Sequence, residues 1–191
     1  MALILGIVAS GNYPRVTSSY ESIATTTVGA GGSSTVTFSS IPNTYKHLQV
    51  RYLAQTNRGT YGTDNILIRL NSDTGSNYSL HALTGDGASA TASAGTSTSQ
   101  FLSQATGSGA STTYGAGVMD LLEYANTNIY KTARILSGAD HNGTIAGYGG
   151  QILFSSGNWR STSAVTTIQF RPEFGSAFTQ YSSFALYGIK G

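Results

Sequence analysis

The sequence predicts an all-β protein: an antiparallel β-sandwich, jelly-roll-like, with an extended N-terminal arm. Three observations lead there. Apolar and polar residues alternate through many short runs, the two-residue period of half-buried strands. Gly, Asn, Ser and Pro punctuate those runs at the short spacing of an antiparallel fold. No stretch holds a 3.6-residue period over three turns, and the one helix-like run, residues 119–124, is too short to stand alone.

Composition narrows the class. A chain of 191 residues fits one domain with a real core. Only 9% of residues are charged, against about a quarter in ordinary domains. Disorder combines high charge with few aromatics, whereas this chain has 12 Tyr and 7 Phe. Its polar surface must be hydroxyl and amide, which tolerates close association. Ten Lys and Arg are spread singly and the net charge is +2, so nucleic acid is not an expected partner. With no Cys there is neither a disulfide framework nor a thiolate metal site. No run reaches the roughly 18 apolar residues of a membrane span, so membrane insertion is not expected. Residues 2–9 are apolar but short and follow no basic residue, unlike a secretory signal.

In chain order, residues 1–18 form an apolar head closed by a Gly/Pro break. Leu3, Ile4, Leu5, Ile7 and Val8 need burial, either as a first core strand or as an arm that docks into a partner. The domain organisation is therefore read as a docking arm, 1–18, and a sandwich domain, 19–191. Residues 19–28 are rich in Thr and read as a strand. The organising unit is 34–54. Val36 and Phe38 alternate with hydroxyl residues, Pro42 makes a corner, and Leu48, Val50, Tyr52 and Ala54 share one face of a second strand. Residues 65–71 follow, with Ile66, Ile68 and Leu70 on one face, then 78–82 after a turn at 72–77. From Thr84 to Gly117 the composition falls to Gly, Ala, Ser and Thr. A short strand near 98–103 between two loops is expected there. Further strands are read at 118–124, 130–136, 151–154, 158–160, 164–170 and 181–189, about ten in all, with a Gly-rich loop at 137–150.

Candidate chemistry is sparse. Asp73-Thr74-Gly75 spells an aspartic-protease tripeptide, but that mechanism needs two carboxylates sharing a proton, and no second copy exists. The tripeptide reads as a turn. Asp140-His141 reads as a surface loop. His47, His81 and His141 lack metal-ligand spacing. The eight carboxylates are scattered, so no catalytic pair can be named. No catalytic residue, cofactor or metal is expected. Aromatics in or beside loops are the usual material of sugar and protein recognition, and Tyr61, Tyr148 and Trp159 are the candidate ligand contacts.

Several stretches carry a resemblance. Residues 38–51, FSSIPNTYKHLQVR, resemble a widespread group of tailed-bacteriophage virion proteins, common in cyanophages and marine phages. The likeness extends through RLNSDTGSNY (69–78), DLLEYANTNIYKT (120–132), YSSFALYGIKG (181–191) and the head LGIVAS (5–10). It implies a structural or host-contacting virion component and carries over no catalytic residues. The expected function is a non-enzymatic part of the virion exterior, as capsid decoration or tail component. It would be a homotrimer held to other virion proteins by Leu3, Ile4, Leu5, Ile7 and Val8. The alternative is the receptor- or glycan-binding tip of a tail fibre, with a host surface glycan as partner.

Overall fold

The computed structural model describes residues 18–107, 112–141 and 149–191, with Gln104 described by its backbone alone. Twelve strands and no helix occupy the described residues. They are β1 (Tyr20–Thr27), β2 (Val36–Phe38), β3 (His47–Thr56), β4 (Thr63–Leu70), β5 (Tyr78–Gly85) and β6 (Ala90–Thr98), followed by β7 (Phe101–Gly107), β8 (Gly115–Leu122), β9 (Lys131–Asp140), β10 (Gly150–Trp159), β11 (Ile168–Pro172) and β12 (Ser183–Ile189). Eight strands pair antiparallel into a large sheet, β1-β12-β3-β8-β9-β10-β5-β6. Four pair into a small one, β2-β11-β4-β7. The sheets join at one corner, where the end of β3 runs parallel to β7 through Gln55↔Thr106 and Thr56↔Gly107. The result is an antiparallel two-layer sandwich.

The alternation read from the sequence sets which face is inside. Leu48, Val50, Tyr52 and Ala54 are all buried, as are Ile66, Ile68 and Leu70 across the core. Aromatic rings tie the layers. Phe170 of the small sheet meets Phe184 of the large one at 5.2 Å between centroids, and Phe101 meets Tyr78 edge-on at 5.0 Å. Two glycines admit these rings. A Cβ at Gly117 would strike the Tyr52 ring, and one at Gly157 would strike Phe101, so each aromatic lies flat on a neighbouring backbone. The proline corner is held by the Tyr124 hydroxyl, which donates to the carbonyl of Pro42.

Three elements differ from the sequence reading. Residues 84–117 contain two strands, β6 and β7, where one short strand was expected. Ala, Ser and Thr in β6 give no apolar alternation, because both of its faces are largely exposed. β10 is a single ten-residue strand rather than two short ones, since Gly157 stays in register opposite Leu80 and Ala133. β9 runs on to Asp140, because Ser137 to Asp140 pair with Gly150 to Leu153. The N-terminal arm, with Leu3, Ile4, Leu5, Ile7 and Val8, lies outside the described residues.

Two fully buried polar side chains, Lys131 and Tyr78, brace the fold. Lys131 is fully buried, and its ammonium donates to the carbonyls of Asn126 at 2.6 Å, Ile129 at 2.9 Å and Thr162 at 3.2 Å. It ties the turn after β8 to the loop after β10. Burial holds its pKa below the usual lysine range. Lys131→Met leaves those carbonyls without their cation and should cost about 2–4 kcal/mol, measurable as a lower urea midpoint.

Tyr78 is also fully buried. Its hydroxyl accepts from the Leu70 amide at 3.0 Å and donates to the Leu70 carbonyl at 3.2 Å, bracing the turn that carries the chain from β4 of the small sheet to β5 of the large one. Burial pushes its phenol up to about 12 from 10.0. The folded state therefore favours the neutral form. That contribution is complete below the ordinary tyrosine value and is lost as pH rises through the raised one. Tyr78→Phe should flatten the fall in unfolding free energy between pH 10 and 12 by about 2–3 kcal/mol. Chemical denaturation at pH 9, 11 and 12 checks this.

Candidate functional site

Two surfaces stand out, and the sheet register builds the first. Directly opposed residues in an antiparallel sheet point to the same face. On the outer face of the large sheet, Leu83, Phe154, Leu136 and Val118 follow one another across β5, β10, β9 and β8. The adjacent row runs Gly85, Ile152, Gly138, Ala116 and Leu53. Leu83, Phe154, Leu136, Ile152 and Leu53 are among the exposed large apolar side chains, and Ile152 reaches 63%. Four strands and two rows make roughly 300 Å² of projected face, the size at which apolar patches on monomers are often functional.

The row on the other side is polar. It runs His81, Ser156, Arg134, Asp120, Gln49 and Tyr187. Gln49 donates to Asp120 at 2.8 Å and accepts from Arg51 at 2.8 Å, and Arg134 pairs with Asp120 at 3.5 Å. Arg51 also lies 5.6 Å from the Tyr187 ring. Arg51 closes the first apolar row, directly opposite Val118, and reaches the polar border through Gln49; from β5 to β8 the two apolar rows carry no charge.

The second surface is an aromatic ledge. The guanidinium of Arg58 sits 4.0 Å from the Tyr61 ring centroid and 4.3 Å from that of Phe174. Both rings remain open to solvent, at 44% and 59%. Such cation–π contacts contribute about 0.5–1 kcal/mol each when exposed. Arg58 is held by donation to the Thr63 carbonyl at 3.0 Å. Phe174 is held from below by Asp64, a buried carboxylate. Asp64 accepts from the Thr56 hydroxyl at 2.7 Å and from the amides of Gly175 at 2.9 Å and Phe174 at 3.2 Å. Asn57 accepts from the amides of Ser176 and Ala177 at 2.8 and 3.0 Å. The loop after β11 is thereby clamped to the loop after β3. The ledge offers two fixed ring faces and one cation, the chemistry that stacks on sugar rings or flat polar groups.

The candidate ligand contacts fare differently. Tyr61 is exposed and belongs to the ledge. Tyr148 lies outside the described residues. Trp159 is a core residue, 3% exposed and stacked on Tyr78 at 6.2 Å. Its indole donates to Asp73 at 2.7 Å. The polar residues around Trp159 in sequence are outward-facing neighbours in a strand, and period two turns the ring inward. Tyr61 precedes β4, and the Trp159–Asp73 pair lies beyond its far end, roughly 23 Å along the strand, so the two do not share a site. Arg58 carries no sequence signal for its role, since its partners come from two loops.

Two residues of the candidate chemistry, Asp73 and His47, brace turns. Asp73 serves its turn, accepting from Gly75, Asn77 and Trp159 at 2.8, 2.9 and 2.7 Å. Burial pushes its carboxyl up, but these hydrogen bonds outweigh burial and leave it below the ordinary carboxylate value. His47 accepts from the Glu123 amide at 3.1 Å, and His81 is exposed on the outer face. His141 turns inward from the end of β9 and is buried, unlike the surface-loop group the sequence reads. Among the described residues, no three of His, Cys, Asp and Glu stand close enough to hold a metal ion. A hollow of about 940 Å³ adjoins the apolar face between the β5–β6 turn and the ends of β9 and β10. Its Asp86 is engaged by the amides of Ala88 and Ser89 at 2.9 and 2.6 Å. Comparison with known protein families and with curated protein sequences finds no match.

Asp64→Ala strips a buried hydroxyl and two amides of their shared acceptor. It should destabilise the fold by about 2–4 kcal/mol and speed amide exchange at residues 173–177, read by denaturation and by hydrogen exchange.

Proposed function

We propose that this chain is a non-enzymatic structural subunit of a tailed-phage virion exterior, as capsid decoration or tail component. It assembles with copies of itself and with other virion proteins. The observation that carries the reading is the uncharged apolar rows of Leu83, Phe154, Leu136, Val118 and Ile152 on the outer face of the large sheet. An exposed face of this kind is an interaction surface. It sits on a chain of only 9% charged residues, where little like-charge repulsion opposes close contact between subunits. The phage assignment rests on the sequence resemblance of residues 38–51, 69–78, 120–132 and 181–191. In this reading Leu3, Ile4, Leu5, Ile7 and Val8 dock the subunit to the particle.

A second reading is a receptor- or glycan-binding tip on a tail fibre. The ledge of Tyr61, Arg58 and Phe174 favours it, because its rings are exposed yet fixed.

Quantitative mass spectrometry of purified virions decides between the two. Hundreds of copies per particle support decoration, and a few to a few tens place the subunit on the tail. Phe154→Lys with Leu136→Asp sets opposite charges on directly opposed, half-exposed positions and should shift stability by no more than about 1 kcal/mol, yet abolish incorporation into particles. Normal incorporation of that variant refutes the apolar face as the contact. Under the second reading, saturable binding to host polysaccharide should be lost in Tyr61→Ala.

A further inference from the structure

A β-sheet ends in strands whose outward N–H and C=O groups are unpaired, and proteins that stay monomeric blunt those edges. Here three edges are blunted. β1 carries a bulge between Ser22 and Ala24, and its Glu21 is ion-paired with Lys190. β2 is three residues long. The far side of β7 runs into the end of β3. Among the described residues, β6 carries only a bulge near its end, between Gly95 and Thr98. It pairs residue for residue with β5 from Ala90↔Gly85 to Gly95↔Leu80, and it is the last strand of the large sheet. Its sequence, ATASAGTST, has no charge and no proline, and its side chains are largely exposed on both faces.

We propose that β6 pairs antiparallel with β6 of a second copy of this chain about a two-fold axis. The strand is suited to its own copy. Ala90, Ala92 and Ala94 lie on the outer face, opposite Gly85, Leu83 and His81, and Thr91 and Ser93 on the inner one. Meeting themselves in reverse order, these small uncharged side chains bring no like charges and no bulky pair into opposition. A head-to-tail contact with β1 would instead set the regular stretch 90–95 against a strand bulged at Ser22–Ala24 that carries the Glu21–Lys190 pair. The pairing joins the eight strands of the large sheet to the eight of its mate. It brings the two Leu83 residues to three strand spacings, about 14 Å, so that the two apolar outer faces form one surface. Such an isologous contact closes at two copies. It does not depend on the virion assignment.

Sedimentation of the full chain over a range of concentrations should show a dimer. Ala92→Lys with Ala94→Lys, both exposed positions, should weaken its dissociation constant at least tenfold with the far-UV spectrum unchanged. Because the chain has no cysteine, single substitutions Thr91→Cys, Ala92→Cys, Ser93→Cys and Ala94→Cys give an unambiguous second readout. A residue beside the two-fold axis faces its own copy within disulfide reach, so one position or two neighbours should yield a cross-linked dimer on oxidation. A monomer at every concentration, a trimer, a dimer indifferent to the lysines, or the absence of any self-cross-link overturns the proposal. The last result would mean that another strand occupies the edge.

Discussion

The structure hangs on the backbone pairing of β3. From His47 to Leu53 it is hydrogen-bonded to β12 on one side, and from His47 to Ala54 to β8 on the other. Its last two residues leave those partners and pair with β7 of the other layer. One strand thus fixes the register of the large sheet and the place where the small sheet joins it. A one-residue slip would turn Leu48, Val50, Tyr52 and Ala54 outward and Arg51 and Leu53 inward. The side chains make that slip costly, because Tyr52 lies against Gly117 and reaches Ser103 across the core with its hydroxyl.

A chain with so few charges spends several of them on structure. Lys131, Asp64 and Asp73 each gather three or more polar groups from separate loops. Those contacts hold the loops on which Trp159, Phe174 and the β4–β5 connection depend. From β5 to β8 the centre of the large sheet's outer face is left to apolar and small side chains, bordered by Gln49, Asp120 and Arg134, which satisfy one another, and by Arg51 at the end of the apolar row. The aromatic ledge uses the remaining device. Arg58 between two rings needs no carboxylate, and its rings are held by loops clamped through Asp64 and Asn57.

Reading side chains from sequence succeeded where burial and period agree. Val36 and Phe38, and Ile66, Ile68 and Leu70, recur at every second position, and all are core. It failed at β6, because a strand exposed on both faces has no apolar period to read. Trp159 was misjudged for a related reason. A large ring near Gly157 and Arg160 looks exposed until the register with Tyr78 and Lys131 turns it inward. The ledge was half legible. Tyr61 in a Gly-rich loop is an expected surface aromatic, but the contact of nearby Arg58 with Phe174 joins positions more than a hundred residues apart, and no local pattern encodes it.

The sequence by itself determined the fold class, the inward face of most strands and the scarcity of charge. These follow from local properties: the two-residue period, turn residues and composition. The tertiary structure decided the rest. The order of strands, the crossing of β3 between layers, the alignment of Leu83, Phe154 and Leu136 into one apolar row, and the outermost place of β6 all depend on which strands become neighbours. Register across a sheet is a long-range property, set when distant segments exchange backbone hydrogen bonds and their side chains fill a common core.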